Sequence, residues 1–209
     1  HELRTPLTVI GGYVEAMIDG VLPRENEQLA QVSTEVRRLR RLGDDLSSLS
    51  RAEEGSTGLT IAPVDLDTLA TGVLERFRPQ AVDAGLTLVG TSGAGTARAD
   101  ADRTMQVLTN LVGNAIRATP PGGTITITGA RQAGRATLVV TDTGEGLARA
   151  DLERVFERFY RVPGARSVSE GSGIGLTVAR AHMRAMGGEL TAASPGPGKG
   201  AAFTASFPV

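Results

Sequence analysis

The chain has 209 residues, room for one large or two small domains, and 40% of them are apolar, the ordinary share for a globular protein. A formal net charge of −1 gives no bulk attraction to nucleic acid or anionic membrane. With no Cys there is no disulfide or thiolate zinc site, and two His are too few for a His-rich metal site.

Leu3, Leu7, Ile10, Val14, Met17 and Val21 recur at spacings of four and three, which predicts an amphipathic helix over residues 1–20. Asp19-Gly20 and Pro23 end it. A second helix is predicted from about Arg24 to Ala52, with a seam of Leu29, Val32, Val36, Leu39, Leu42, Leu46 and Leu49 and a phase slip near Gly43. Two helices joined by a short loop make a hairpin, and one hairpin buries little. Two copies are therefore expected to pair as a four-helix bundle. Glu54-Gly55-Ser56-Thr57-Gly58 reads as a linker. The expected domains are a helical hairpin over 1–53, a linker over 54–60 and a second domain over 61–209.

Beyond the linker the pattern turns mixed. Residues 59–66 read as a short strand, followed by a helix from near Asp65 that ends before Gly85. Residues 86–91 alternate as a strand, and 100–119 read as a helix stopped by Pro120-Pro121. Residues 124–128 and 136–141 are β-branched strands joined by a turn at Gly134. A long irregular stretch follows over 143–170, then a helix over 172–186. A closing hairpin of strands covers 189–193 and 201–207. Helices interleaved with strands predict an α+β chain whose second part is an α/β sandwich, a mixed sheet covered on one face by helices. A structureless stretch of such length inside a compact domain suggests a lid over a ligand.

Gly171-Ser172-Gly173-Ile174-Gly175-Leu176 leaves bare backbone at the start of a helix, where unpaired N–H groups and the positive dipole end bind phosphate. It is neither a dinucleotide fingerprint nor a P-loop. Asp142, at the end of a strand beside Gly144 and Gly146, can accept a hydrogen bond from an exocyclic amine; a capping Asp in a turn is the plainer reading of it alone. Asn110 and Asn114 lie one turn apart on a helix whose other face is apolar. Their amide oxygens suit a hard cation such as Mg²⁺, although two surface Asn near a helix end would look the same. Arg117, a turn further on, can reach a phosphate. His1 and Thr5 share a helix face turned away from the Leu3 seam, and Glu2 beside His1 can hold the Nδ1 proton and leave Nε2 free to attack. His182 has no acid beside it and is given no task.

Taken in order, these motifs resemble the catalytic core of bacterial sensor histidine kinases. His1–Thr8 resembles the H-box, residues 110–119 the N-box, 142–147 the first glycine box, 156–161 the F-box and 171–176 the second glycine box. The resemblance implies ATP and Mg²⁺ as cofactors. His1 would be the phosphoaccepting nucleophile, Glu2 its general base, and Thr5 the residue that orients water in a phosphatase reaction. Asn110 and Asn114 would hold Mg²⁺ and the triphosphate, with Arg117 assisting. Asp142 would accept from the adenine amine, with Gly144 and Gly146 letting the base approach. Gly171, Ser172, Gly173, Ile174, Gly175 and Leu176 would close on the phosphates, and Arg161 would touch the γ-phosphate. Phe156 and Phe159 would anchor the lid. The implied partners are a second copy of the chain and a response regulator that receives the phosphoryl group on an Asp. The chain opens on His1 rather than Met and is expected to be the cytoplasmic piece of a longer protein anchored upstream in the bacterial inner membrane. One residue departs from the pattern: Ala118 stands where the family often has an aromatic residue near the adenine. Two rival readings remain, an ATP-switched scaffold without catalysis and an ATPase of the same superfold. The latter type places a Glu one turn before the metal-binding Asn, where this chain has Asn110.

Overall fold

The computed structural model describes residues 4–23, 25–53, 58–132, 134–163 and 173–209. The chain divides into two compact units, His1–Ser48 and Leu49–Val209.

The first unit is an antiparallel helical hairpin of α1 (Arg4–Ile18) and most of α2 (Asn26–Glu53), whose last residues fall in the second. At the end of α1 the N–H groups of Val21 and Leu22 both donate to the Ala16 carbonyl, at 2.9 and 3.0 Å, closing the helix as the chain reverses. The expected seam separates into two rows. Met17 is buried and Ile10, Val32 and Leu39 are half-buried, and these form the inward row. Leu7, Val14 and Val36 remain 57%, 39% and 47% exposed, and Val21 and Leu29 are also open. Leu3 and the side chains of Leu42, Leu46 and Leu49 lie outside the described residues. Among the described residues no helix is long and apolar enough to cross a membrane.

The second unit carries a five-stranded mixed sheet in the order β2-β4-β5-β7-β6 and a two-stranded sheet of β1 and β3. The strands are β1 (Ala62–Asp65), β2 (Thr87–Thr91), β3 (Thr96–Ala99), β4 (Thr124–Gln132), β5 (Arg135–Asp142), β6 (Glu189–Ala193) and β7 (Ala201–Pro208). Among the described strands only β2 and β4 pair in parallel, as a strand crossing over through a helix requires. Helices α3 (Leu66–Asp83), α4 (Ala101–Ala118) and α5 (Gly175–Ala185) cover one face. On that face Ile125, Ile127, Leu138, Val140, Phe203 and Phe207 alternate with outward residues and are almost completely buried. They meet Val107, Leu108, Leu111, Val112 and Ala115, which form the apolar side of α4. The opposite side of α4 carries the two Asn.

Two carboxylates fix the ends of the helices. Asp100 caps α4, its Oδ1 accepting from the Arg103 N–H at 3.0 Å, while its Oδ2 accepts from the Thr60 N–H at 2.9 Å and so holds the entering chain. Burial works to raise its pKa, but the N–H groups of Thr60 and Arg103 outweigh that and hold it below the ordinary carboxylate range. Asp67, in the first turn of α3, closes the loop between β2 and β3. Its Oδ1 accepts from the N–H groups of Gly93 and Ala94 at 3.1 and 3.2 Å, and its Oδ2 from that of Gly95 at 3.0 Å. Removing this acceptor leaves three backbone donors to find water. Asp67→Ala is expected to lower unfolding stability by about 1–3 kcal/mol, read from urea denaturation. An unchanged midpoint would mean that the loop holds without it.

Candidate functional site

Hydrogen bonds across the sheet set the position of Asp142. It is the last residue of β5, opposite Ile125 at the start of β4 and Ala201 at the start of β7. Its Oδ1 accepts from the Gly144 N–H at 2.8 Å and the Ala201 N–H at 3.3 Å. Among the described residues nothing donates to Oδ2, although the residue is only 4% exposed. A buried carboxylate with one oxygen committed and one open is a ready acceptor for a ligand donor. Burial raises the Asp142 pKa, and the two backbone N–H groups only partly oppose it.

The loop after Asp142 is tied down on three sides. Thr143 exchanges bonds with Thr124, its Oγ1 accepting from the Thr124 N–H at 2.9 Å and its own N–H donating to the Thr124 carbonyl at 3.1 Å. The Glu145 N–H donates to the Ala118 carbonyl at the end of α4, at 3.0 Å. Gly144 and Glu145 accept in turn from the N–H groups of Gly200 and Gly198, at 3.0 and 2.5 Å. The two glycines serve this packing. A Cβ on Gly144 would collide with the Ala118 carbonyl, and one on Gly146, at a φ of 63°, with the Gly196 carbonyl. The expectation that they are bare to admit a base thus gains a structural reason nearer at hand: the loop itself needs the room.

Asn110 and Asn114 are half-buried on one side of α4. The Asn110 Nδ2 donates to the Gly175 carbonyl at 2.9 Å, so its amide joins the second glycine box to the N-box helix. Its Oδ1 has no hydrogen-bond partner among the described residues, and neither amide atom of Asn114 has one. Arg117 bends back along α4, its Nη1 3.6 Å from where a Gly113 Cβ would stand. Among the described residues no side chain caps the N-terminus of α5. Its first turn therefore offers N–H groups and the positive dipole end beside the Asn pair. Ile174 is fully buried and anchors this start. Among the described residues no group of His, Asp or Glu could hold a metal by itself. Oxygen from the Asn amides suits Mg²⁺, which keeps several waters and shares phosphate oxygens.

The F-box splits into two kinds of anchor. Phe156 is buried, edge-on to Phe203 with ring centres 6.3 Å apart, and the Arg180 guanidinium lies 4.5 Å from its ring. Its carbonyl accepts from Thr177 Oγ1 of α5 at 2.9 Å. Phe159, expected to anchor with its side chain, is instead 41% exposed. It anchors through the backbone, in a left-handed conformation at φ 62°, by donating its N–H to the Gly173 carbonyl at 2.9 Å. Gly173 must be bare at this neck, because a Cβ there would lie 2.9 Å from the Phe159 backbone. Arg161 is half-buried just beyond it. Of the stretch 143–170 on which the lid expectation falls, residues 143–163 are described and hold two short helical turns, Arg149–Asp151 and Arg154–Phe156, while 164–170, Gly171 and Ser172 lie outside the described residues.

His1 and Glu2 are likewise outside the described residues, and Thr5 is placed only as backbone in α1. Within the second unit the structure ties Asn110 to the start of α5 through Gly175, and ties the loop of Asp142, Gly144 and Gly146 to the end of α4 through the bond from Glu145 to Ala118. The contact between Asn110 and Gly175 spans 65 residues and had no sequence signal. His182 is buried between α5 and α4, with Nε2 3.2 Å from Gln106 Oε1, which gives it a packing role.

Residues 99–209 match the family model described as histidine kinase-, DNA gyrase B- and HSP90-like ATPase. Residues 1–55 match the His Kinase A (phospho-acceptor) domain. Signal transduction histidine-protein kinase BaeS of Escherichia coli (strain K12) is 37% identical over 211 residues, across all of this chain and 45% of that protein. Sensor protein SrrB of Staphylococcus aureus (strain N315) is 35% identical over 215 residues, across all of this chain and 36% of that protein. The chain therefore spans less than half the length of these relatives. Among solved structures, Acinetobacter baumannii histidine kinase AdeS superposes with a TM-score of 0.84 at 27% identity, over 100% of this chain and 97% of that one. Full-length ShkA in complex with AMPPNP superposes with a TM-score of 0.74 at 27% identity, over 99% of this chain and 44% of that one. With a phosphoacceptor-type hairpin ahead of a kinase- and gyrase-type nucleotide fold, the chain belongs to the sensor histidine kinase family, of which it carries the catalytic core.

Proposed function

We propose that the chain is an ATP-dependent protein-histidine kinase that phosphorylates itself on His1 and passes the phosphoryl group to an Asp of a response regulator. The observation that carries this reading is the half-committed carboxylate of Asp142, in the same unit as the unpaired Asn114 amide and the uncapped start of α5. One end of such a site recognises an amine and the other recognises phosphate. ShkA, described above with AMPPNP, supports an ATP-shaped ligand. On this reading the adenine amine donates to Asp142 Oδ2, and the phosphates take the α5 N–H groups with Arg117, Arg161 and the glycines of 171–175. Asn110 and Asn114 would hold Mg²⁺, which supplies charge neutralisation at the phosphates. The functional domains are 1–53 for dimerisation and phosphoacceptance, 54–60 as linker and 61–209 for nucleotide binding.

The His1 Nε2 lone pair forms a bond to the γ-phosphorus, the bond from that phosphorus to the bridging β–γ oxygen breaks, and ADP leaves. Glu2 accepts a hydrogen bond from Nδ1–H while the neutral ring attacks, and takes that proton as the N–P bond forms, so the phosphorylated ring is left neutral. The remaining barrier is lowered chiefly by positioning and by neutralising charge. In the reverse duty, Thr5 orients a water against a phosphorylated partner.

The fate of label from [γ-³²P]ATP separates this reading from its rivals. Protein-bound label that is stable in base and lost in acid supports the kinase. Free phosphate without protein label supports the ATPase, and neither supports the scaffold.

The exposed row of the hairpin supports a homodimer. Leu7, Val14, Val21, Leu29 and Val36 are all exposed, at heptad-like spacings along the two helices. A dimeric four-helix bundle would bury them. Val14→Glu together with Val36→Glu is expected to convert the dimer to monomer in sedimentation equilibrium. A persistent dimer would place the interface elsewhere.

A further inference from the structure

Arg161 leaves a backbone that is braced on several sides. Before it come the two short helical turns, Arg149–Asp151 and Arg154–Phe156. The second is fastened to α5, where Arg180 lies over the Phe156 ring and its Nη1 stands 3.3 Å from Glu153 Oε2. Tyr160 then folds back across both turns. Its hydroxyl donates to Asp151 Oδ1 at 2.6 Å, a charge-assisted bond, and the Arg154 guanidinium lies 4.3 Å from its ring. The bond to Asp151 holds the phenol pKa above its ordinary value. The Tyr160 N–H donates to the Glu157 carbonyl at 3.3 Å. Arg154 also stands 3.9 Å from Glu157, but both side chains are open to water and that pair contributes little. Tyr160 and Val162, one on each side of Arg161, both pack against the core. Phe159, just before them, is bonded to Gly173. The main chain that carries Arg161 is therefore held at 159, 160 and 162.

We propose that Tyr160 is a positioning residue for phosphoryl transfer: its hydroxyl, held by Asp151, fixes the main chain from which Arg161 reaches the γ-phosphate. The inference rests on the kinase reading above and on the part that reading gives Arg161. A guanidinium that neutralises charge on a transferring phosphoryl group acts only if it already stands in place as the charge develops. A displacement of about one ångström is enough to cost most of such an effect. Arg has a long side chain, so small freedom in its backbone becomes large freedom at its head. The bond from Tyr160 to Asp151 removes that freedom one residue before Arg161. Ground-state binding of ATP falls instead to Asp142, the Asn pair and the start of α5. The hydroxyl should therefore show in the rate of transfer and not in affinity.

Tyr160→Phe keeps the ring, its packing and its contact with Arg154, and removes only the hydroxyl. Asp151 is half-buried, so water can take the place of the phenol. With saturating ATP, the variant is expected to label His1 about five- to tenfold more slowly than the parent. Its Kd for ATP should stay within about twofold. Asp151→Ala should reproduce both results. In an Arg161→Ala chain, adding Tyr160→Phe should cost nothing further, because the residue it positions is gone. The bond itself is read without activity. The chain has two Tyr and no Trp, so Tyr13→Phe leaves Tyr160 as its single strong emitter. A carboxylate partner quenches phenol emission, which should rise when Asp151→Ala is added. A Tyr160→Phe chain that labels His1 at the parent rate would overturn the proposal. So would the same further loss in the Arg161→Ala chain, the mark of a merely structural hydroxyl, or an emission that Asp151→Ala leaves unchanged. A parent chain that binds ATP and takes no label would overturn the kinase reading instead, and the role of Tyr160 with it.

Discussion

A His1→Gln chain is expected to take no acid-labile label from ATP while binding ATP as the parent does. The chain has only two histidines. The second, His182, is 3% exposed and its Nε2 faces Gln106, inside the packing of α5 on α4. A phosphoryl group there would bring a multiply charged ester into a closed apolar contact, at a desolvation cost of several kcal/mol. His1 is thus the single imidazole available as nucleophile, and Gln keeps polarity while removing the reactive nitrogen. ATP affinity should persist because Asp142, the Asn pair and the start of α5 all lie in the second unit. The result is read by retention of ³²P on the protein at alkaline pH, alongside an ATP titration. Persistent base-stable, acid-labile label on the variant would remove His1 from its proposed role.

Asp142→Asn is expected to weaken ATP by about tenfold while making the ligand-free protein no less stable. The first effect follows from exchanging a charge-assisted hydrogen bond for a neutral one, a difference of roughly 1–2 kcal/mol. The second follows from burial. The folded pKa of Asp142 is raised, so folding favours its protonated form. Its stabilising influence is therefore present at low pH and is lost as pH rises through the raised value. At neutral pH the ionised carboxylate is a cost that the neutral amide avoids, and the Asn Oδ1 can still accept from Gly144 and Ala201. Loss of function without loss of stability is the mark of a ligand-binding group held against its own preference. ATP affinity of the parent should likewise fall with acid, beginning above the ordinary carboxylate range, and the variant should lack this limb. Paired ATP titrations and thermal melts across pH check both. A variant that melts well below the parent would make Asp142 a structural residue.

The sequence made α4 legible because its apolar face and its proline stop agree, and the helix expected over 100–119 runs Ala101–Ala118, with Asp100 found as its cap. β3 was not legible. Thr96-Ala97-Arg98-Ala99 has little branched or aromatic content, and it forms because Ala97 and Ala99 fit a closed space against β1 that larger residues would overfill. β4 and β5 run further than their branched residues suggested. Gly129, Ala130, Arg131 and Gln132 are weak strand formers, and they are recruited by pairing with residues 135–138 across the hairpin. At the site, Asp142, Asn110 and Asn114 could be chosen by residue type and position. The division of work between the two oxygens of Asp142 could not, because it depends on Ala201, 59 residues further on. Phe159 shows the same limit. Residue type pointed to a packed ring, whereas its backbone conformation is what ties it to Gly173.

The proposal that a nucleotide cradle feeds an imidazole is tested most directly by locating the transferred group. The chain is incubated with ATP and Mg²⁺, digested at alkaline pH, and its peptides are mapped by mass spectrometry under conditions that preserve phosphorus–nitrogen bonds. The account predicts phosphorylation on the ring of His1. A phosphoester on a Ser or Thr hydroxyl, or an unmodified chain amid released phosphate, would contradict it.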